Sequence, residues 1–268
     1  MTTGRPLRFA TFLAPSIFPV YTAICEYLGR RLSMPTELVV GRSFDQFERG
    51  EVDAGFICGL PYVQLADRSH SPVHLLAAPV LRGKRYGGRP IYFSDVIVRR
   101  DSPYRSFADL RGCTWSYNDP DSQSGYGITR YTLAAMGETR DYFGKVVEAG
   151  FHQESIRLVA GDQVDASAID SQVLALAMRD DLSLNRRLRI IHALGPSTIQ
   201  PVVAAAHVPG DLRAEMRRLL VEMSGEPIMR ERLSEGLFER FVAVRDSDYD
   251  DIRHMLKLTE EAGLTVLR

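Results

Sequence analysis

Cysteine is scarce in this sequence and poorly arranged for pairing: Cys25, Cys58 and Cys113 are odd in number, scattered, and each set among apolar neighbours. That pattern argues against a disulfide framework or a zinc cluster and predicts buried free thiols. An excess of charge of either sign is also missing, with 33 Lys and Arg against 34 Asp and Glu. Nothing therefore points to nucleic acid or an anionic membrane surface as a partner, and any anion site has to be local. No apolar run approaches the roughly 20 residues of a membrane-spanning helix, so no membrane insertion is expected. The amino-terminal stretch Met1-Thr2-Thr3-Gly4-Arg5-Pro6-Leu7-Arg8 lacks the long apolar core of a secretion signal. As written, the chain reads as unexported, or as a mature form from which a leader has been trimmed.

What is present is an ordinary globular composition, 45% hydrophobic and 25% charged over 268 residues, enough for one large domain or two lobes. The stretch from Asn118 to Ala135 draws most interest. The apolar run Cys113-Thr114-Trp115-Ser116-Tyr117 before it reads as a buried strand, and Ile128, Tyr131, Leu133 and Met136 after it have helical spacing. Between them, Asp121-Ser122-Gln123-Ser124-Gly125 is a polar turn at a helix start. About four backbone N–H groups there lack intrahelical partners, and the macrodipole adds roughly half a positive charge. Ser122 and Ser124 add hydroxyl donors, and Gly125 has no Cβ to keep a ligand from the backbone. Asp121, Ser122 or Ser124 would equally serve as an ordinary cap of its own helix.

Strand and helix alternate along the first third of the chain. Leu7 to Leu13 reads as a strand, then Ala14-Pro15-Ser16 as a turn and N-cap, then a helix through Tyr21, Ile24, Tyr27 and Leu28. Glu37 to Val40 and Val52 to Ile57 read as further strands, Ser43 to Gly50 and the segment opening at Gly59-Leu60-Pro61-Tyr62 as helices. Alternation of this kind predicts a parallel α/β sheet, whose ligands bind beyond the carboxyl ends of the strands. Ser16 and Tyr62 each follow a strand and fall on that rim.

Gly50-Glu51-Val52-Asp53-Ala54-Gly55-Phe56-Ile57 is echoed by Gly161-Asp162-Gln163-Val164-Asp165-Ala166-Ser167-Ala168-Ile169, which favours two similar lobes over one extended sheet. Leu81 to Pro90, glycine-rich and basic, reads as a solvated loop between them. Ile91 to Val98 then carries the chain across, and Val146 to His152 reads as a strand ending at a histidine. Leu188 to Leu194 returns the chain, Pro201 to His207 is a last strand, and the remainder looks helical and is expected to pack on the first lobe.

At this point the sequence resembles the phosphate/phosphite/phosphonate-binding proteins of ABC importers. Asp101-Ser102 with Phe107-Ala108-Asp109-Leu110-Arg111-Gly112 looks like the family's Asp-Ser…Leu-x-Asp-Leu-Lys-Gly, and Asp121-Ser122-Gln123-Ser124-Gly125-Tyr126 like its Ser-Thr-Ser-Gly-Tyr loop. Gly150-Phe151-His152, Gln163-Val164-Asp165-Ala166 and Ile199-Gln200-Pro201-Val202-Val203 follow in the family's order. The resemblance implies an α/β, two-lobed type II periplasmic-binding-protein fold. Each lobe would be a mostly parallel sheet flanked by helices, with the ligand cleft between lobes. Residues 1–90 plus 198–268 would form lobe 1 and residues 91–197 lobe 2.

The resemblance also implies an oxyanion seated on Ser122, Gln123, Ser124 and Gly125, facing Tyr62 and Tyr92 and meeting His152. Ser16 on the rim and Asp170 at a strand end complete the candidate ligand-binding set, although Asp170 would serve equally as a helix cap. A protonated His152 would add positive charge beside the oxyanion. The family's serine-rich loop has threonine where this chain has Gln123, and the carboxylates that hold a ligand ammonium fall at Gln172 and Gln200. An amine-bearing phosphonate is therefore disfavoured.

The resulting expectation is a non-enzymatic solute-binding protein that closes on a small oxyanion such as phosphate, phosphite or a simple phosphonate for ABC import. It needs no metal or cofactor and has an ABC permease as its candidate partner. Its place would be the periplasm if a signal peptide was removed, and otherwise the cytoplasm. The alternatives are a cytosolic enzyme of the same fold acting on a small carboxylate, as in the menaquinone pathway, with His152 or Asp170 as acid or base, and a cytosolic anion sensor.

Overall fold

The computed structural model describes residues 5–138 and 140–267; Met1 to Gly4 of the amino-terminal stretch lie outside them. The chain begins with β1 (Leu7–Thr11), α1 (Phe18–Leu32), β2 (Thr36–Val40), α2 (Asp45–Glu48), β3 (Ala54–Phe56), α3 (Gly59–Ala66) and β4 (Val73–Leu81). It continues with β5 (Ile91–Arg99), β6 (Thr114–Tyr117), α4 (Ile128–Ala135), β7 (Lys145–Glu148), α5 (His152–Ala160), β8 (Ala166–Asp170), α6 (Ser171–Asp180), α7 (Leu184–Arg187) and β9 (Leu188–Thr198). The last elements are β10 (Val202–Ala205), α8 (Gly210–Glu222), α9 (Pro227–Glu235), β11 (Phe238–Val242) and α10 (Asp250–Glu261). Two compact units result, one taking the chain up to Ile91 and then Thr198–Tyr249, the other Tyr92–Ser197 and the chain from Asp250 onward.

The first unit holds a sheet in the order β11-β4-β10-β3-β1-β2, the second a sheet in the order β7-β6-β8-β5-β9. Each combines a parallel set of strands with antiparallel ones. β1 runs parallel to β2 and β3, whereas β10 is antiparallel to β3 and β4, and β11 to β4. The second sheet repeats this arrangement: β6 is parallel to β7 and β8, and β5 is antiparallel to β8. Strands that return into a unit from the other side of the chain enter its sheet in the reverse direction, and alternation read along the first third cannot reveal them.

The echoed segments do the same work in the two sheets. Ala54 on β3 pairs with Phe9 on β1, and Ala166 on β8 pairs with Trp115 on β6. The aspartate just before each strand accepts the backbone N–H of the first sheet residue opposite: Asp53 Oδ2 from Arg8 at 2.8 Å, Asp165 Oδ2 from Thr114 at 2.7 Å. Each aspartate amide in turn donates to the carbonyl of that same residue, at 2.7 and 2.9 Å. A carboxylate thus ties off the ladder where the strands begin to pair, which is a physical reason for Val-Asp-Ala to occur twice.

Several expectations need correction. Val73–Leu81 carried no assignment, yet as β4 it lies between β10 and β11 and is buried over nearly its whole length. β11 appears inside the stretch expected to be helical, where Phe238 and Phe241 turn inward with their rings 5.6 Å apart. The basic loop is anchored rather than simply solvated: Tyr86 is buried, Arg82 Nε donates to Phe238 O at 3.2 Å, and Arg240 Nη2 donates to Gly88 O at 2.9 Å. The end of the chain also changes unit, for α10 and the residues after it belong with the second. Met255, Leu264 and Leu267 join the core of Trp115, Ile128 and Leu133, and Arg130 Nη1 donates to Thr265 O at 2.8 Å. Burial of that apolar face decides where the segment docks.

Candidate functional site

In each unit the strand ends define one rim. On the second, β6 finishes at Tyr117, β8 at Asp170 and β7 at Glu148, while β5, being antiparallel to β8, begins there with Tyr92 close in register to Asp170. The segments leaving this rim carry Ser122 to Gly125 and His152. Ser122 is extended (φ −79°, ψ 122°) and caps the following turn, its Oγ accepting the Gly125 N–H at 3.1 Å. Its carbonyl accepts from both Tyr126 and Gly127, at 3.2 and 2.9 Å, so Gln123–Gly127 forms a wide π-turn that runs into α4. Such a start directs its first amides outward, with the positive end of the helix dipole behind them.

Gly125 is required by close approach. A Cβ built on it would stand 1.9 Å from Asn118 Oδ1 and 3.3 Å from His152 Cε1. The hydroxyls form a chain beside it: Ser122 Oγ lies 3.2 Å from Ser124 Oγ, and Ser124 Oγ lies 2.8 Å from His152 Nε2. His152 stands at the start of α5, not at the end of a strand, because extended Phe151 forms the N-cap and its carbonyl already accepts from Glu154 and Ser155. Only 6% exposed, the imidazole is pushed down from its ordinary 6.5 to about 3 by burial, which penalises the charged form. It is therefore a neutral group at physiological pH, and the expectation of a protonated histidine beside the ligand does not fit its surroundings. His152 Nδ1 and Asn118 Oδ1 are buried and have no hydrogen-bond partner among the described residues. Asn118 was not singled out within its stretch, because one more polar residue after a strand reads as turn chemistry.

The other expected residues divide. The Gln123 side chain is a strut, its Nε2 reaching Ser197 Oγ at 3.4 Å and Met255 Sδ at 3.2 Å. Asp170 is the N-cap of α6, accepting from Gln172 N at 2.7 Å and Val173 N at 3.3 Å. Tyr92 is buried at the start of β5. Ser16 and Tyr62 belong to the first unit. Ser16 is exposed inside the turn Pro15–Ile17 rather than capping α1, whose N-cap is Ile17. Tyr62 is buried; its hydroxyl donates to Asp246 Oδ1 at 2.6 Å and its ring lies 4.6 Å from that of Tyr249. Asp246 too was absent from the expected set.

Chemically, the second unit offers hydroxyls, helix-start amides and a neutral imidazole. Ser124 and His152 lie at nucleophile-and-base distance, yet Nδ1 lacks the carboxylate that would orient a catalytic imidazole, and a group titrating near 3 makes a poor base at pH 7. No cluster of His, Cys, Asp or Glu suited to a metal ion occurs among the described residues. No helix among them is long and apolar enough to cross a membrane.

Comparison with known proteins agrees with this picture. A family profile described as ABC transporter, phosphonate, periplasmic substrate-binding protein matches residues 11–249. The phosphonates-binding periplasmic protein of Escherichia coli K12 is 28% identical over 165 residues, covering 58% of this chain and 47% of the relative. The matched part thus spans about half the length of that curated relative. A binding protein component of an ABC phosphonate transporter from Pseudomonas aeruginosa superposes with a TM-score of 0.85 at 16% identity, over 97% of this chain and 89% of the other. PhnD1 from Prochlorococcus marinus in complex with methylphosphonate gives 0.84 at 15% identity, over 96% and 99%. At those identities the two structures speak for the fold alone. The family match covers most of the sequence, and the chain belongs to the phosphonate-binding family of ABC-transporter periplasmic substrate-binding proteins.

Proposed function

We propose that this protein binds a small phosphorus oxyanion, a simple phosphonate, phosphite or phosphate, as the solute-recognition component of an ABC importer. The carrying observation is the chain Ser122–Ser124–His152 at the start of the helical segment, where uncharged donors gather in a buried setting. Donors held by the fold suit an oxyanion because they need no reorganisation when it arrives. Tyr62, Tyr92 and Ser16 are proposed as further contacts. A permease partner and a periplasmic location accompany this reading, supported by family membership.

Methylphosphonate is the first ligand to try, since PhnD1 from Prochlorococcus marinus is a complex with it. By the family resemblance, the carboxylates that would hold a ligand ammonium correspond to Gln172, which is buried, and Gln200, which is half-buried. A charge-assisted pair lost in this way is worth about 1.5 to 3 kcal/mol, which disfavours aminoalkylphosphonates. The test is a thermal-shift and calorimetry panel of methylphosphonate, phosphite, phosphate, 2-aminoethylphosphonate, methanesulfonate and acetate. A ligand at 100 times its dissociation constant adds about 2.7 kcal/mol of stability. Ser124→Ala should weaken binding of the best phosphorus ligand by about 1 to 3 kcal/mol while the protein stays folded. A panel in which only acetate or the amine-bearing ligand stabilises the protein would reject the proposal.

A further inference from the structure

The Gln123–Gly127 turn is closed by two bonds to one carbonyl, with Tyr126 N–H and Gly127 N–H donating to Ser122 O at 3.2 and 2.9 Å. Turns of this wide kind are rare, and they keep their shape against an ordinary helical turn only where their surroundings hold them. Tyr126 is the side chain by which this one is held. Its ring is buried, with its centroid 4.7 Å from that of Tyr117 and 4.7 Å from the carbon at the centre of the Arg130 guanidinium. Its hydroxyl accepts the Leu267 N–H at 3.3 Å.

Arg130 is itself out of place for an arginine. It is only 7% exposed and makes no ion pair among the described residues; Glu260 on α10 acts on it through charge at longer range. Buried charges are normally paired. Arg130 has instead the face of Tyr126 and the carbonyl of Thr265, to which Nη1 donates at 2.8 Å. A helical side chain leans towards the amino end of its helix, so Arg130, in the first turn of α4, reaches back alongside the turn that precedes it. The contacts close a ring: Arg130 holds Tyr126 and Thr265, Tyr126 holds Leu267, and Leu264 and Leu267 are buried in the core that contains Tyr126.

We infer that Arg130 is a positioning residue for the anion loop: its guanidinium clamps the Tyr126 ring and ties it to the segment after α10, so that Ser122, Ser124 and the amides of the turn keep their aim. The amide of Tyr126 is one of the two that close the turn, so a swing of its ring and a change in the turn are one movement. An apolar side chain at position 130 could fill the space but could not donate to Thr265 O. The effect on ligand binding rests on the oxyanion reading; the clamp itself does not.

The experiment separates the two by following single amides through hydrogen exchange in ligand-free protein. Arg130→Met keeps an apolar stem and removes the charge and the donor. In it, exchange at Gly125, Tyr126, Gly127 and Leu267 should accelerate about tenfold while the amides of α5 keep their rates. Arg130→Lys restores a charge and a donor without the flat stacking face, and should recover part of the protection. Tyr126→Phe keeps the ring and removes only the acceptor, so it should accelerate Leu267 most and the turn less. Unchanged turn amides in Arg130→Met overturn the inference, as does acceleration of α5 by the same factor, which would mean a general loosening. If Arg130→Met does not fold, Arg130→Lys and Tyr126→Phe decide: faster exchange in the turn of both supports the clamp, and unchanged exchange in either overturns it. Calorimetry with methylphosphonate then follows the consequence. Arg130→Met should weaken binding about tenfold, with part of the loss recovered in Arg130→Lys. A loosened turn with undiminished affinity would reject the positioning role. A loosened turn in a protein whose unsubstituted form binds no phosphorus oxyanion would support the clamp and reject the functional reading.

Discussion

Lowering the pH should destabilise this protein through His152 in a way that can be isolated. In the folded chain burial keeps the imidazole neutral down to about pH 3, whereas in the unfolded chain it titrates near its ordinary 6.5. Between those values the unfolded state binds a proton that the native state refuses. Stability contributed by this group is thus fully present well above pH 6.5 and declines as the pH falls below it, by about 1.4 kcal/mol per unit. From pH 7 to pH 5 the loss from His152 alone comes to about 2 kcal/mol. His74, also shifted downward by burial with Arg213 and Arg217 nearby, adds a loss of the same sign. The comparison is therefore between unsubstituted protein and His152→Gln, in which His74 is common to both. Urea unfolding followed by circular dichroism at pH 7, 6 and 5 should give a curve about 2 kcal/mol steeper for the unsubstituted protein. Parallel curves would refute the buried, neutral imidazole. The same burial predicts that affinity for an anion of fixed charge stays level between pH 5 and 8 instead of following a histidine titration.

Gly125→Ala should cost roughly 1 to 3 kcal/mol of stability, because the new Cβ overlaps Asn118 Oδ1, and should impair methylphosphonate binding. Adding Asn118→Ala should recover much of the melting temperature, and failure of that rescue in a thermal scan would mean that the clash is not the cause. Asp165→Ala leaves the Thr114 N–H without its acceptor and should cost about 1 to 3 kcal/mol in urea unfolding. Asp53→Ala should cost more, since Asp53 is buried and also receives both terminal nitrogens of Arg5 and lies 2.9 Å from His207 Nε2; equal losses would mean that Arg5 and His207 add nothing to the strand-start contact.

Much was legible in the sequence, and for local reasons. The Ser122 cap, the glycine that follows it and the helical spacing beyond are all set by residues within about three turns of one another. The capping box of Ser106 and Asp109 lies in the turn expected at Phe107–Gly112 for the same reason. Val-Asp-Ala could be recognised twice because the repeated motif is itself contiguous, although the residues its aspartates tie, Arg8 and Thr114, lie 45 and 51 residues away. What escaped was set by distant partners. β4 and β11 become strands by pairing with each other across more than 150 residues of chain, as Leu81 does with Phe238. The carboxy-terminal helix reads from sequence only as an amphipathic helix, and the core around Trp115 is what takes its apolar face.

The division is sharpest at the site. The sequence by itself determined which donors are present, a helix start with Ser122 and Ser124 and a histidine about 30 residues later, because donor chemistry belongs to residue type. Only the tertiary structure decided their states: His152 loses its charge through desolvation, Gln123 is drawn away to Ser197 and Met255, and Tyr62 donates to Asp246. Burial and partnership arise from groups brought together by folding, and no local pattern encodes them.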